Sequence, residues 1–154
     1  MTATSIADHT KVTESAKAEL LNVIFTDIMD IVRFNQLLKL PQYVEITYVP
    51  SQAEVPKGWE GGIDVMTGVI FVSLALDFDI SVEVFCHELI HCEQMHLGQL
   101  SMEIDTERLC WFGVPFEHYS SYEEYTNFPW EIDAFAREKK LINGVRSLLY
   151  REAA

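Results

Sequence analysis

The segment CHELIHCEQMH, residues 86–96, places two histidines four residues apart, with a glutamate directly after the first. Residues four apart lie on one face of an α-helix, so His87 and His91 can point their imidazoles at one ion only if this segment is helical. Glu88 then lies beside the open side of that ion. Because a catalytic zinc takes three protein ligands, the fold must also bring a second element to this helix.

The same pattern has an ordinary interpretation, which is a polar face on an amphipathic helix that binds no metal. The neighbouring residues favour the metal site. Val84, Phe85, Leu89 and Ile90 predict a half-buried helix, in which the histidines are shielded from water.

Three residues are candidates for the third ligand: His96, Glu131 and Asp133. His96 follows His91 by five residues and is therefore rotated by about 140° around the helix, away from the pair. The chain also lacks the glycine and histidine that a three-histidine pattern places three and six residues after the second ligand. We therefore expect His96 to be a surface or packing residue.

The segment NFPWEIDAFAREKKLINGVRSLL, residues 127–149, distinguishes the other two candidates. Helical spacing places Glu131 at the head of an apolar stripe formed by Phe135, Ile142, Val145 and Leu149. Asp133 instead lines up with Arg137, Lys140 and Gly144 on the solvent face. A buried carboxylate is costly unless it is paired or binds a metal, which favours Glu131 as the third ligand. The alternative for Glu131 is an acid stabilised by the helix dipole in the first turn.

Hydrophobic periodicity and turn residues predict an α+β fold, in which a small β-sheet with a hairpin packs against three helices. These are a long N-terminal helix, the helix that carries the motif His87-Glu88-x-x-His91 (the HExxH helix) and a C-terminal ligand-bearing helix. The predicted order is helix 13–40, strands 43–49 and 68–74 around a loop at 50–62, helix 81–97 with Ser81 as N-cap, hairpin 102–119 around Gly113, loop 120–128, and a helix from Pro129 to about Tyr150. We divide the chain into a tail, residues 1–12, and a single domain, residues 13–154.

Composition restricts the partners. A formal charge of -13 disfavours nucleic acid and anionic membranes, because phosphates would be repelled. Cys86, Cys92 and Cys110 form neither an even disulfide set nor a C-x-x-C knuckle, so we expect free thiols and a reducing compartment. The N-terminus lacks a basic start followed by an apolar stretch, which predicts a cytoplasmic protein.

The motif HELIHCEQ, the hairpin WFGVPFE and the segment PWEIDAFARE together resemble the small gluzincin-type zinc metallopeptidase domains, including short ones often carried by bacteriophages. The resemblance covers roughly residues 43 to 140. It implies Zn²⁺ on His87, His91 and Glu131, with Glu88 as general base and Ala134 as a small residue where two helices meet. A phage origin would imply the host cytoplasm.

The sequence departs from this family in two respects. Phe135 stands where larger relatives carry an aspartate that orients a zinc histidine, so that support must come from elsewhere. The large second subdomain of those relatives is also missing, which predicts little wall for a deep substrate cleft.

The expected function is a zinc-dependent metallopeptidase that acts on a protein or peptide. Tyr119, Tyr122 and Tyr125 precede the ligand helix, and Tyr125 is the candidate donor to the oxyanion; alternatively, the three tyrosines cover the core. The hairpin edge could bind a peptide by strand addition. The alternative function is a zinc-binding, catalytically weak or inactive module that binds a protein through its acidic surface or aromatic loop. The sequence predicts no oligomeric state.

Overall fold

A computed structural model describes residues 3–153, and side-chain surroundings within residues 13–150. In that range the chain has a mixed α+β fold with four helices and two three-stranded sheets, which confirms the predicted fold class. The elements are α1 (Ala3–Phe34), β1 (Ile46–Val49), β2 (Gly61–Ile63), β3 (Ile70–Ser73), α2 (Phe78–His96), β4 (Leu100–Met102), β5 (Leu109–Trp111), β6 (Val114–Pro115), α3 (Tyr122–Thr126) and α4 (Pro129–Ala153).

Helix α1 is longer at its start and shorter at its end than the sequence predicts. It begins at Ala3 and crosses the proposed boundary between residues 12 and 13 without a break. It ends at Phe34 because Gln36 takes a left-handed conformation, with φ 54°. The Leu37 N–H then donates to the Val32 carbonyl over 2.9 Å, which closes the helix before Pro41.

The first sheet has the strand order β1-β3-β2, so that β2 forms one edge. β1 pairs with β3 in parallel and β2 pairs with it antiparallel. The sequence predicts a loop through Gly62, and two glycines give no strand signal. Gly61 is required here because a Cβ would lie 2.7 Å from both the Phe71 carbonyl oxygen and Val84 of α2. This close approach holds the edge strand against the HExxH helix.

Helix α2 starts one turn earlier than predicted. Its N-cap is Asp77, whereas Ser81 lies inside the helix and is fully buried. The helix ends at His96, one residue before the predicted end, with Leu97 as its C-cap and Gly98 following at φ +75°. There the Gly98 and Gln99 N–H groups donate to the Met95 and Gln94 carbonyls over 3.0 and 2.8 Å.

The second sheet contains the predicted hairpin and one further strand. β5 and β6 pair around Phe112 and Gly113, which both have positive φ, as a tight two-residue turn requires. β4 pairs antiparallel with the other edge of β5. The predicted loop at 120–128 contains the short helix α3, whose N-cap Ser121 accepts a hydrogen bond from the Glu124 N–H.

The core lies between the first sheet and helices α1, α2 and α4. Phe85 of α2 stacks on Phe25 of α1 with ring centroids 4.0 Å apart, and α2 packs along α4, where Ala134 is fully buried. All three cysteines are buried free thiols, which confirms the absence of a disulfide between them. No helix within the described range is long and apolar enough to cross a membrane.

Candidate metal centre

The structure brings the two motif histidines together with Glu131. His87 and His91 lie on α2, and Glu131 lies in the first turn of α4, which packs against it. The Nε2 atoms of the two histidines are 3.2 Å apart. The Glu131 carboxylate lies 3.1 Å from His87 Nε2 and 2.9 Å from His91 Nε2. These three side chains form a group that could hold a metal ion.

The spacing of the donor atoms fits a small tetrahedral ion. Zinc bonds to nitrogen and carboxylate oxygen are about 2.0–2.2 Å long, so neighbouring ligands of a tetrahedral site lie roughly 3.3–3.4 Å apart. The two Nε2 atoms are 3.2 Å apart, slightly less than that value, and Glu131 faces them with separate oxygens, Oε2 at 3.1 Å from His87 and Oε1 at 2.9 Å from His91. Two imidazoles and one carboxylate are also the donor types of a catalytic zinc site that keeps one position open.

The hydrogen bonds of Gln94 determine how His91 presents its ring. The Gln94 amide nitrogen donates to the Trp130 carbonyl over 3.0 Å and to the Asp133 carboxylate over 2.9 Å. Because both partners only accept, the amide oxygen must be the atom that faces His91 Nδ1, 2.7 Å away. Nδ1 therefore carries the hydrogen, and in the neutral ring Nε2 presents a lone pair to the centre.

Glu138 does the same for the other histidine. Its carboxylate lies 2.7 Å from His87 Nδ1, which makes that nitrogen the donor. Phe135 packs its ring against His87 with centroids 4.9 Å apart and is 41% exposed, so it lies at the rim of the site and not in the core stripe. Phe135 cannot accept a hydrogen bond from a zinc histidine, and Glu138, about one turn further along α4, takes that role for His87. With both rings in this tautomer, two lone pairs and a carboxylate face one another, an arrangement that could hold a cation.

Without a metal, the charges of the site stabilise one another. Burial raises the pKa of Glu131, but hydrogen bonds with His87 and His91 outweigh it and lower the value to about 2. Burial lowers the pKa of His87, yet the hydrogen bond to Glu131 and the charge of Glu88 raise it to about 9. The pKa of His91 is raised against its burial by the same two acids. A deep positive charge is therefore favoured at this position.

Glu88 is the unpaired acid of the site. It is 6% exposed and makes no hydrogen bond with any described residue. Burial raises its pKa, and the two histidines only partly oppose this effect. Glu88 lines the same cavity as the histidines and Glu131. A carboxylate of raised basicity beside the cation site is suited to accept a proton from water.

Tyr125 contacts the site directly. Its hydroxyl donates to Glu131 over 2.8 Å, and burial followed by the charge of Glu131 raises its pKa, so it stays protonated as a donor. Tyr119 and Tyr122 pack around the Tyr125 ring, with centroids 5.2 and 6.2 Å away. The two outer tyrosines are 57% and 75% exposed, so they do not cover the core.

The site opens into a cleft of about 1020 Å³, which corrects the expectation of little wall. Its lining includes residues 56–63, which contain the edge strand β2, and the three tyrosines Tyr119, Tyr122 and Tyr125. Leu100 and Leu109 of the second sheet also line it. Short strands, the helix α3 and the loops between them therefore contribute walls beside α2 and α4.

Two of the three proposed ligand candidates lie away from the centre. His96 is exposed near the end of α2. The position of Asp133 on the solvent face predicts a free surface acid. The structure shows instead that it accepts hydrogen bonds from Gln94 and Arg137. The sequence analysis did not identify Gln94 or Glu138. Their spacings, three residues after His91 and seven after Glu131, place them on the faces that carry the ligands.

Comparison of the chain with protein-family models, with curated proteins and with solved structures found no match.

Proposed function

We propose that the protein is a zinc-dependent metallopeptidase whose ion is held by His87, His91 and Glu131. The observation that supports this most strongly is the convergence of two imidazole nitrogens, 3.2 Å apart, with a carboxylate whose two oxygens lie 3.1 Å from His87 Nε2 and 2.9 Å from His91 Nε2. Nitrogen donors favour zinc over calcium or magnesium, which prefer oxygen ligands. The unpaired Glu88 supports a catalytic over a structural site, because a structural site needs no base.

Zinc, when bound here, lowers the pKa of a water molecule and polarises the carbonyl of a peptide bond. Glu88 accepts the proton of the attacking water and later passes it to the leaving amine. Tyr125 donates to Glu131 in the resting site, and in this proposal its hydroxyl donates to the oxyanion during the reaction. His87 and His91 are held in the ligating tautomer by Glu138 and Gln94.

The cleft suits an extended polypeptide. β2 is an edge strand, so it has backbone groups that are not paired within its sheet, and Gly61, Gly62 and Ile63 all line the cleft. A peptide could add to this edge as a further strand, with main-chain hydrogen bonds giving affinity. We propose β2 as a second edge for strand addition beside the hairpin edge expected from the sequence, since Leu109 of the hairpin and Leu100 of β4 line the same cleft.

The first test measures metal content. Protein purified without chelators from zinc-replete cells should carry about one zinc per chain by elemental analysis. Glu131→Ala purified in parallel should carry much less. Wild-type protein without a transition metal would exclude the proposal.

The second test separates catalysis from binding. New protein termini generated by the wild type in a cell lysate are identified by mass spectrometry and compared with those generated by Glu88→Gln. Glu19→Gln is the matched control, because Glu19 is an exposed glutamate on α1 that does not line the cleft. We expect the control to cleave normally and Glu88→Gln to lose about 10²-fold or more in turnover while it retains zinc.

Cleavage that persists unchanged in Glu88→Gln would disprove the assigned mechanism. Zinc-loaded protein of both forms that cleaves nothing, yet retains the same partner in pull-downs, would replace the enzyme with the zinc-binding interaction module.

A further inference from the structure

We infer that Gln94 is a positioning residue that fixes the orientation and tautomer of His91, and that Asp133 acts on the metal centre through Gln94. This inference rests on the metal site proposed above and extends it to residues that do not contact the ion. The role normally given to an acid beside a metal-binding histidine is taken here by a neutral amide for one histidine and by a carboxylate, Glu138, for the other.

The first step concerns burial. Gln94 is fully buried, and a buried amide is stable only where its hydrogen bonds are made. Both hydrogens of its nitrogen have acceptors, and its oxygen faces His91 Nδ1. Rotation of the amide by 180° would bring its oxygen against the Trp130 carbonyl and the Asp133 carboxylate. The side chain therefore has a single favourable orientation, and that orientation admits only one tautomer of His91.

The second step concerns what holds Asp133. Arg137 donates to the Asp133 carboxylate over 2.9 Å and to Glu93 over 2.5 Å. Glu93 in turn accepts the backbone N–H of Lys39, in the segment after α1, over 2.6 Å. The chain of contacts therefore runs from His91 through both site helices to the end of α1. It fixes Asp133 where Gln94 needs an acceptor.

The third step concerns charge. Glu131 and Glu88 already place two acids beside the histidines, and Glu138 adds a third. An amide orients His91 without a further negative charge in the most buried part of the site, where an unpaired charge is expensive. A carboxylate at position 94 would also face Asp133, and this repulsion provides the basis of a test.

The test measures zinc affinity by competition with a chromophoric chelator, and the visible spectrum of the Co²⁺-substituted protein. Gln94→Leu should weaken zinc binding by about 10- to 100-fold and alter the Co²⁺ bands, since loss of a histidine's partner typically has that effect. Gln99→Leu is the matched control, because the Gln99 side chain makes no hydrogen bond with any described residue; it should match the wild type.

A pair of exchanges separates positioning from packing. Gln94→Glu alone keeps an oxygen for His91 but turns the other oxygen towards Asp133, so zinc affinity should fall by about tenfold or more. Adding Asp133→Asn removes the charge that repels this second oxygen and should recover part of the loss. A residue that only filled space would show no such recovery.

The outcomes can be told apart. A wild type that binds neither Zn²⁺ nor Co²⁺ would overturn the proposed function and this inference together. A wild type that binds both ions, with Gln94→Leu unchanged in affinity and spectrum, would overturn this inference alone. This inference would also fail if adding Asp133→Asn to Gln94→Glu does not raise zinc affinity. Circular dichroism of the metal-free variants checks that each one is folded.

Discussion

Each ring nitrogen of the two site histidines has a defined neighbour. The Nδ1 atoms face the oxygens of Glu138 and Gln94, and the Nε2 atoms face Glu131 and each other. Because the outer partners accept hydrogen bonds, the inner nitrogens are the ones left to bind a cation. The outer partners therefore determine the chemistry of the centre as much as the ligands do.

Replacing each of three acids with alanine should weaken zinc binding less the further the acid lies from the ion. Glu131→Ala should weaken zinc affinity by more than tenfold, because it removes a ligand atom. Asp133→Ala should have a smaller but measurable effect, because the amide of Gln94 keeps its bond to the Trp130 carbonyl. Glu123→Ala changes an exposed acid on α3 and should have none. Chelator competition measures all three, and equal losses for Glu131 and Asp133 would contradict the assignment.

Tyr125→Phe removes one hydrogen bond from the ligand carboxylate and keeps the ring. Because a hydrogen bond to a charged group is worth about 1.5–3 kcal/mol, zinc affinity should fall by roughly 10- to 150-fold. Peptide cleavage at saturating zinc should fall further if the hydroxyl also donates to the oxyanion. Tyr122→Phe, which changes a tyrosine stacked on the same ring, should affect neither quantity. Equal behaviour of the two variants would remove Tyr125 from the site.

The pattern of the sequence predicted the part of the site that depends on helical spacing. Glu131 was distinguishable from Asp133 because one shares a face with apolar residues and the other does not, and the structure does place Glu131 at the histidines. Gln94 and Glu138 were not distinguishable from other polar residues on the same helices. Their roles depend on how α2 and α4 pack, and single-helix periodicity contains no information on that contact.

Two glycines at helix positions should respond in opposite ways to alanine. Gly98 ends α2 with φ +75°, a conformation that strains alanine, so Gly98→Ala should lower the free energy of unfolding by about 1 kcal/mol. Gly144 lies inside α4, and an added Cβ would meet only Leu37 at 3.8 Å, an ordinary contact. Gly144→Ala should therefore raise the free energy of unfolding by about 0.5–1 kcal/mol. Urea unfolding of the metal-free proteins measures both, and a stabilising Gly98→Ala would contradict the helix end described here.

Elements with strong hydrophobic periodicity, or with a proline or glycine at their ends, were predictable from the sequence. Elements that form only because of contacts with the rest of the fold were not. α4 begins at Pro129 as its sequence indicates. β2 consists of Gly61, Gly62 and Ile63, and it forms a strand because β3 lies beside it. α3 has five residues, too few to be stable alone, although the spacing of Ser121 and Glu124 is that of a capping box and was the available signal.

The whole molecule concentrates acids around a centre that could hold a metal ion. Glu88, Glu131 and Glu138 all line the cleft beside the histidines, in a chain whose formal charge is already -13. A divalent ion relieves this repulsion in the folded state, whereas the unfolded chain does not assemble the three ligands. Metal binding should therefore stabilise the fold as a whole and not only the cleft.

Thermal unfolding tests this linkage. Free Zn²⁺ at about 1,000 times its Kd stabilises a folded protein by about 4.1 kcal/mol, and at about 2–4 °C per kcal/mol for a domain of this size the Tm should rise by roughly 8–16 °C. Glu88→Gln should keep this rise, because it removes the base and no ligand. At the same free zinc concentration, the stabilisation of Glu131→Ala by zinc should be at least about 1.4 kcal/mol smaller than that of the wild type, which corresponds to a tenfold weaker Kd. The rise should disappear with a chelator and should not occur with Mg²⁺, which prefers oxygen ligands. If zinc shifts the Tm of Glu131→Ala as much as that of the wild type, the ion binds elsewhere and Glu131 is not its ligand.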